Sequence, residues 1–237
     1  PFEGSSLSDI DVNDEFLGIT VLGRPNVGKS TLINRLIGED RLVVFDQPGT
    51  TRDTIAVPFE SNNTKYMLFD TAGVRRKAKV REKIEKFSIV KAIRSMEKAH
   101  VVLALIDAQE GITEQDVSLI GLTVQRGRSL VVVINKWDGL TATKRKQIKE
   151  QIDRRLPFLD FAEQHTISAL YGKGLHNLLP AVQRAYKSAT MNLSTKGLTN
   201  VLEKAVQQHP PPLARGRRIR LRYAHQGGRN PPTIVIH

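Results

Sequence analysis

Four apolar runs stand out along the chain: LGITVL (17–22), KYMLF (65–69), VVLALI (101–106) and SLVVVI (129–134). They are nearly continuous rather than alternating and end in polar residues, as strands buried on both faces of a parallel sheet do. Amphipathic stretches with helical spacing lie near 30–37, 82–98, 114–125, 143–155 and 175–187. Strand and helix patterns in alternation predict βαβ units, hence an α/β fold on a doubly wound, mostly parallel sheet. Pro58 within IAVPFE (55–60) marks an edge strand, because proline offers no N–H to a second neighbour. A hairpin through SNNT (61–64) is expected to join it antiparallel to KYMLF.

The pattern changes after Lys187. SATMNLSTKG (188–197) is small and polar, and it precedes one helix-like stretch, LTNVLEKAVQQ (198–208), three prolines and two β-like runs, RRIRLRYA (217–224) and PTIVIH (232–237). A boundary is expected near 190–195, dividing a domain at 17–190 from a smaller unit at 195–237, which sits at the lower edge of independent stability. Residues 1–16 hold five acids and no base, and read as a linker or the remnant of an upstream region.

Composition narrows the class. With 40% hydrophobic and 25% charged residues, the chain can bury a good core. No apolar run reaches the ~20 residues of a membrane-spanning helix, and the opening lacks a signal-peptide pattern. The absence of cysteine removes disulfides and thiolate metal sites, so a cytoplasmic address is expected. The net charge of +12 concentrates in two places: eight Lys or Arg face Glu203 alone from Leu193 onward, and Arg75 to Lys98 holds ten bases against three acids. Such a surplus favours phosphate polyanions. In 82–98, Ile84, Phe87, Ile93 and Met96 supply an apolar stripe that leaves the bases outside. In RGRRIRLRY (215–223), alternation puts Arg218, Arg220 and Arg222 on one face of an expected strand and packs Ile219, Leu221 and Tyr223 on the other. That face suits an RNA backbone better than base reading, and DNA is not expected.

GRPNVGKS (23–30) follows a strand and opens a helix, the context of a phosphate-binding loop. Gly23, Asn26, Val27, Gly28, Lys29, Ser30 and Thr31 are expected around the phosphates. Backbone N–H groups and the helix N-terminus surround the β-phosphate, Lys29 adds a point charge toward the β- and γ-phosphates, and Ser30 offers its hydroxyl to Mg²⁺. A glycine-rich turn with a solvated lysine is the plainer alternative. NKWD (135–138) selects the base: the Asp138 carboxylate can accept the N1–H and 2-amino donors of guanine, a pair adenine lacks. Asn135 can reach N7 and brace neighbouring loops, and the stem of Lys136 can cover the base. SAL (Ser168, Ala169, Leu170) would add the Ala169 N–H to the guanine O6. DTAG (70–73) ends KYMLF, so Asp70 can reach Mg²⁺ through water and the Gly73 amide can bond the γ-phosphate. Within PGTTRD (48–53), Thr51 is the favoured Mg²⁺ ligand and Thr50 the alternative. The expected cofactors are GTP or GDP with Mg²⁺, on the sheet of a P-loop NTPase.

GRPNVGKST, DQPGTTRD, DTAGVRRK, NKWDG and SAL, in this order, resemble the Der or EngA family of bacterial ribosome-assembly GTPases. The similarity runs through residues 17–237, including RGRRIRLRYAHQGG and NPPTIVIH. It is to the second of that family's two tandem G domains and its KH-like domain, without the first G domain and the last helix and strand of the KH-like unit. The resemblance implies a small-GTPase-like G domain, a small α+β KH-like domain, GTP hydrolysis, and a role in maturing the large ribosomal subunit through ribosomal RNA or proteins. The GXXG loop of ordinary KH domains is missing, and QGGRN (226–230) reads as a turn. Val74 stands where Ras-type enzymes use glutamine to orient water. Here the resemblance implies a potassium ion held by Asn26 and by carbonyls before PGTT, in the place of an arginine finger. Lys29, Asn26, Thr51 and Gly73 then form the expected catalytic set. Two rivals remain: a non-catalytic, nucleotide-gated RNA-binding module, and a tRNA-modification GTPase with the same potassium chemistry.

Overall fold

The computed structural model describes residues 15–38, 56–69, 89–214, 216–229 and 231–237, with the side chains of 89–91, 214, 217 and 218 outside the description. Strand β1 (Leu17–Leu22) is buried along its whole length and lies between β3 (Thr64–Phe69) and β4 (Val101–Asp107), parallel to both. β5 (Ser129–Asn135) and β6 (Glu163–Thr166) extend the sheet in the same sense. β2 (Ala56–Ser61) closes the far edge antiparallel to β3, giving the order β2-β3-β1-β4-β5-β6. Pro58 is therefore on an edge, as its missing N–H requires. The hairpin turns at Asn62 and Asn63, whose φ values of 50° and 58° are the left-handed pair that matches strand twist.

Alternate strand residues point to opposite faces, and each face has its own core. On one side Ile19, Leu103, Leu105, Val131 and Val133 pack against Leu32, Ile33 and Leu36 of α1 (Lys29–Gly38) and Leu178, Leu179 and Val182 of α5 (Leu178–Thr190). On the other, Val102, Ala104, Ile106, Val132 and Ile134 meet Met96 of α2 (Ile89–Lys98), Leu119 and Ile120 of α3 (Glu114–Gln125), and Ile148 and Ile152 of α4 (Ala142–Arg155). This is the doubly wound α/β sheet that the hydrophobic runs predict. The part of the expected helix at 82–88 lies outside the described residues.

Beyond α5 the chain forms α6 (Thr195–Gln208), β7 (Leu213–Ala214), β8 (Arg217–Arg218), β9 (Ala224–Gly228) and β10 (Thr233–Ile236). Helix α6 lies on β9, where the Thr199 hydroxyl accepts from the Ala224 amide and the Gln226 amide group bonds the backbone at Leu193 and Met191. Two expectations fail here. The run RRIRLRY is no continuous strand: Arg217 and Arg218 pair with β7, the backbone of Arg222 and Tyr223 bonds that of His237 beyond β10, Ile219 is exposed, and Tyr223, also exposed, stacks on the His237 ring. Extending the antiparallel ladder past Leu213↔Arg218 would set Pro212, Pro211 and Pro210 opposite residues 219–221, and prolines have no N–H to give. QGG is strand rather than turn, since Gln226 and Gly228 pair with Ile234 and Thr233 of β10, and a Cβ on Gly227 between them would come within 2.7 Å of Val235 Cγ2. β6 is an additional strand that no apolar run announces.

β6 is tied to α5 by Glu163, which accepts two bonds of 2.7 Å from Arg184 and one of 3.0 Å from the ring of His165. The Arg184 bonds hold the Glu163 carboxyl down at about 2 against the opposing effect of burial. A depressed folded-state value means the pair stabilises the fold above the ordinary carboxylate range and stops doing so as pH falls toward about 2. Both side chains are well exposed, so solvent screens the gain. Glu163→Gln should lower the melting temperature slightly at neutral pH and by nothing measurable near pH 2, in paired thermal melts across that range.

Candidate functional site

Every parallel strand delivers its carboxyl end to the same rim of the sheet, and β1, where the strand order reverses, opens a crevice there. The loop after β1 holds GRPNVGKS, the loop after β5 holds NKWD, and the chain after β6 holds SAL. Three motifs far apart in sequence thus converge at one edge. The link between them is Asn135, only 2% exposed. Its Nδ2 donates to the Val27 carbonyl of the phosphate loop (2.8 Å), and its Oδ1 accepts from the Ala169 amide (2.9 Å).

Backbone strain marks the same loops. Asn26 and Lys136 sit at φ 63° and 59°, and the other two non-glycine residues at positive φ among those described are the hairpin asparagines. Asparagine tolerates that region; lysine pays for it, so the surrounding loop must over-determine Lys136. The Lys136 ammonium meets Asp107 Oδ2 at 2.5 Å, and Asp107, at the end of β4, also accepts from the Gln109 amide. Lys29, which opens α1, bonds the carbonyls of Gly23 (3.2 Å) and Arg24 (2.7 Å). Ser30 and Thr31 are exposed on the first turn of α1, Ser168 is buried, and Leu170 is exposed while its carbonyl accepts from Arg35. Asp138 is half-buried and makes no side-chain bond among the described residues.

The bracing role expected of Asn135 is present. The Ala169 N–H, expected at a guanine O6, donates to Asn135 Oδ1 in this structure. Thr50, Thr51, Asp70, Gly73 and Val74 lie outside the described residues. Two groups escape a reading from sequence. Asp107 looks like one more polar end of a strand. Arg24 looks solvated within GRPNVGKS, yet its Nε bonds both oxygens of Asp116 (2.9 and 3.0 Å) and its Nη1 bonds Glu110 (2.6 Å). Burial alone lowers the Arg24 pKa, and the bonds it donates to Glu110 and Asp116 outweigh that, holding the guanidinium above its ordinary value. The spacing in TEQD (113–116) gives the capping box at the start of α3, not the charge that faces it.

Residues 18–136 match the family model described as "50S ribosome-binding GTPase". The chain belongs to that family. Residues 192–237 match a second, "KH-domain-like of EngA bacterial GTPase enzymes, C-terminal". GTPase Der of Methylococcus capsulatus is 57% identical over 219 residues, 92% of this chain and 47% of that protein. The chain spans about half the length of the curated relatives it matches. Among solved structures, Aquifex aeolicus Era bound to GDP·AlF4⁻ is 28% identical, covers 72% of this chain and 57% of its own, and superposes with a TM-score of 0.53. Era in complex with MgGDPNP and nucleotides 1506–1542 of 16S ribosomal RNA is also 28% identical over the same shares, at 0.54.

Two glycines separate fit from tolerance in this family member. A Cβ on Gly28, at φ 102°, would stand 2.3 Å from Asn135 Nδ2, whereas Gly121 inside α3 has open space around it. Gly28→Ala should cost about 2 kcal/mol or more and displace Asn135. Gly121→Ala should gain about 1 kcal/mol from helix propensity. Urea unfolding of both variants checks the contrast.

Proposed function

We propose that this chain is a GTP-hydrolysing switch that acts in maturation of the large ribosomal subunit and contacts ribosomal RNA or particles according to its nucleotide state. The observation that carries the reading is the convergence of GRPNVGKS, NKWD and SAL on one sheet edge, tied through Asn135. The Der relatives at more than half identity support it, as does an Era bound to a phosphoryl-transfer analogue. Work on ribosomal particles also implies a cytoplasmic setting, in keeping with the finding that no described helix is long and apolar enough to cross a membrane.

In this reading Asp138 pairs with the guanine edge, the stem of Lys136 covers the base, and Asn135 keeps both at a fixed distance from the phosphate loop. Val27, Gly28 and the start of α1 present N–H groups to the phosphates, and Lys29 compensates the charge that builds between β and γ. Ser30, with Thr51 and Asp70, would hold Mg²⁺, a set of hard oxygen donors suited to it, and the ion would supply charge compensation to the phosphates. Asn26 is exposed and carries a neutral oxygen, which suits a weakly hydrated cation such as K⁺. Residues 17–190 serve as the G domain, 195–237 as the KH-like unit that meets RNA through its arginines, and 1–16 as a linker. Val74 then needs no water-orienting side chain, because positioning and charge compensation carry phosphoryl transfer.

Single-turnover hydrolysis in K⁺ and in Na⁺ at matched ionic strength, with and without large ribosomal subunits, tests the proposal. The expected result is slow hydrolysis alone, several-fold faster in K⁺, with the salt response lost in Asn26→Ala while GTP binding survives. Association with the particles should differ between GDP and a non-hydrolysable GTP analogue. Equal rates in both salts remove potassium from the scheme, and an absence of hydrolysis throughout contradicts the enzyme and leaves a nucleotide-gated binding module.

A further inference from the structure

The Arg24 side chain does something the phosphate loop does not need for its backbone cradle. Its guanidinium, 12% exposed, crosses to the first turn of α3 and meets Asp116, whose carboxylate is 1% exposed. Asp116 is held from its own helix as well, accepting from the Thr113 amide (3.0 Å) and hydroxyl (2.8 Å) in the capping box. A second acid, Glu110, takes Nη1 from the turn between β4 and α3. Arg24 is thus anchored to a rigid element packed on the sheet, and the next residue is Pro25, whose ring restricts the backbone before it. Together the anchor and the ring restrain the Arg24 peptide plane. Its carbonyl, at 2.7 Å, is nearer to the Lys29 ammonium than that of Gly23, at 3.2 Å.

We infer that Arg24, clamped by Asp116 and Glu110, is a positioning residue for Lys29: it sets the carbonyl that aims the ammonium at the terminal phosphates of a bound nucleoside diphosphate or triphosphate. This rests on the nucleotide-site reading above. The clamp carries the restraint from α3 into the loop, and a lysine held in advance loses less freedom when phosphate arrives. Neutralising Arg24 leaves the loop sequence GxPNVGKS intact and still lets Lys29 reach the phosphates, but from a wider range of positions. The loss therefore falls on interactions made by Lys29 and not on recognition of the base.

The test is a double-mutant cycle on the full chain, read as the affinity for a fluorescent GDP in Mg²⁺. Arg24→Gln should weaken GDP by about tenfold in the otherwise native chain and by less than about twofold when Lys29 is already alanine. Arg24→Lys, which keeps one charge toward Asp116, should recover part of the loss. Asp116→Asn, which retains an oxygen for the Thr113 amide, should reproduce the loss with the helix cap in place, so the cycle can be read even where Arg24→Gln folds poorly. Equal losses in the two Lys29 backgrounds would mean that Arg24 acts by general stability and would overturn the inference. So would native affinity in both Arg24→Gln and Asp116→Asn. If the unaltered chain fails to bind GDP, the nucleotide-site reading itself falls, a result distinct from either of these.

Discussion

A single buried amide holds the rim of this sheet in register. Asn135 turns its Nδ2 and its Oδ1 to segments 108 and 34 residues away in sequence: the Val27 carbonyl of the phosphate loop and the Ala169 amide of the chain after β6. Replacing it with alanine would strand two buried backbone groups, each worth about 1–3 kcal/mol when unpaired. The same side chain sets how closely Gly28 must pass and how far the phosphate loop stands from NKWD. Distance between the two ends of a nucleotide is therefore a property of one hydrogen-bonded residue on a strand whose last six residues are buried.

Charge around the site is arranged differently from charge on the rest of the molecule. The chain carries a surplus of +12, yet two cations within the motifs, Arg24 and Lys136, are each bound to a buried acid. Asp116 and Asp107 take up those side chains from α3 and the end of β4, elements fixed by the core. Buried ion pairs bring little net stability, since desolvation offsets attraction; they are better understood as fixing geometry. Summed over the rest of the molecule, the basic surplus acts at long range, where it draws in polyanions.

Much of this architecture was readable in advance, and the reasons differ by element. β1, β4 and β5 are buried on both faces, so their apolar runs lie within one residue of the observed strands. The α3 period from 114 to 125 coincides with the helix because a capping box starts it and Gly127, at φ 65°, follows its end. β6 could not be seen, since EQHT carries no apolar residue and becomes a strand only by pairing with β5. RRIRLRY departs for the opposite reason: its alternation is real, but a strand also needs a partner with amides to give, and the next residues of the β7 side are three prolines. In the site, GRPNVGKS, NKWD and SAL announced themselves by context. Their supports did not, because nothing in the loop sequence says that Arg24 faces Asp116 or that Lys136 faces Asp107.

The central claim is that Asp138 at one end of the crevice and the phosphate loop at the other, spaced by Asn135, accept a guanine nucleotide as one unit. Calorimetric titration of the chain with GDP and with ADP, both in Mg²⁺, addresses it most directly. GDP should bind at least about 100-fold more tightly, since adenine cannot satisfy the Asp138 carboxylate. Comparable affinities for the two would contradict the account.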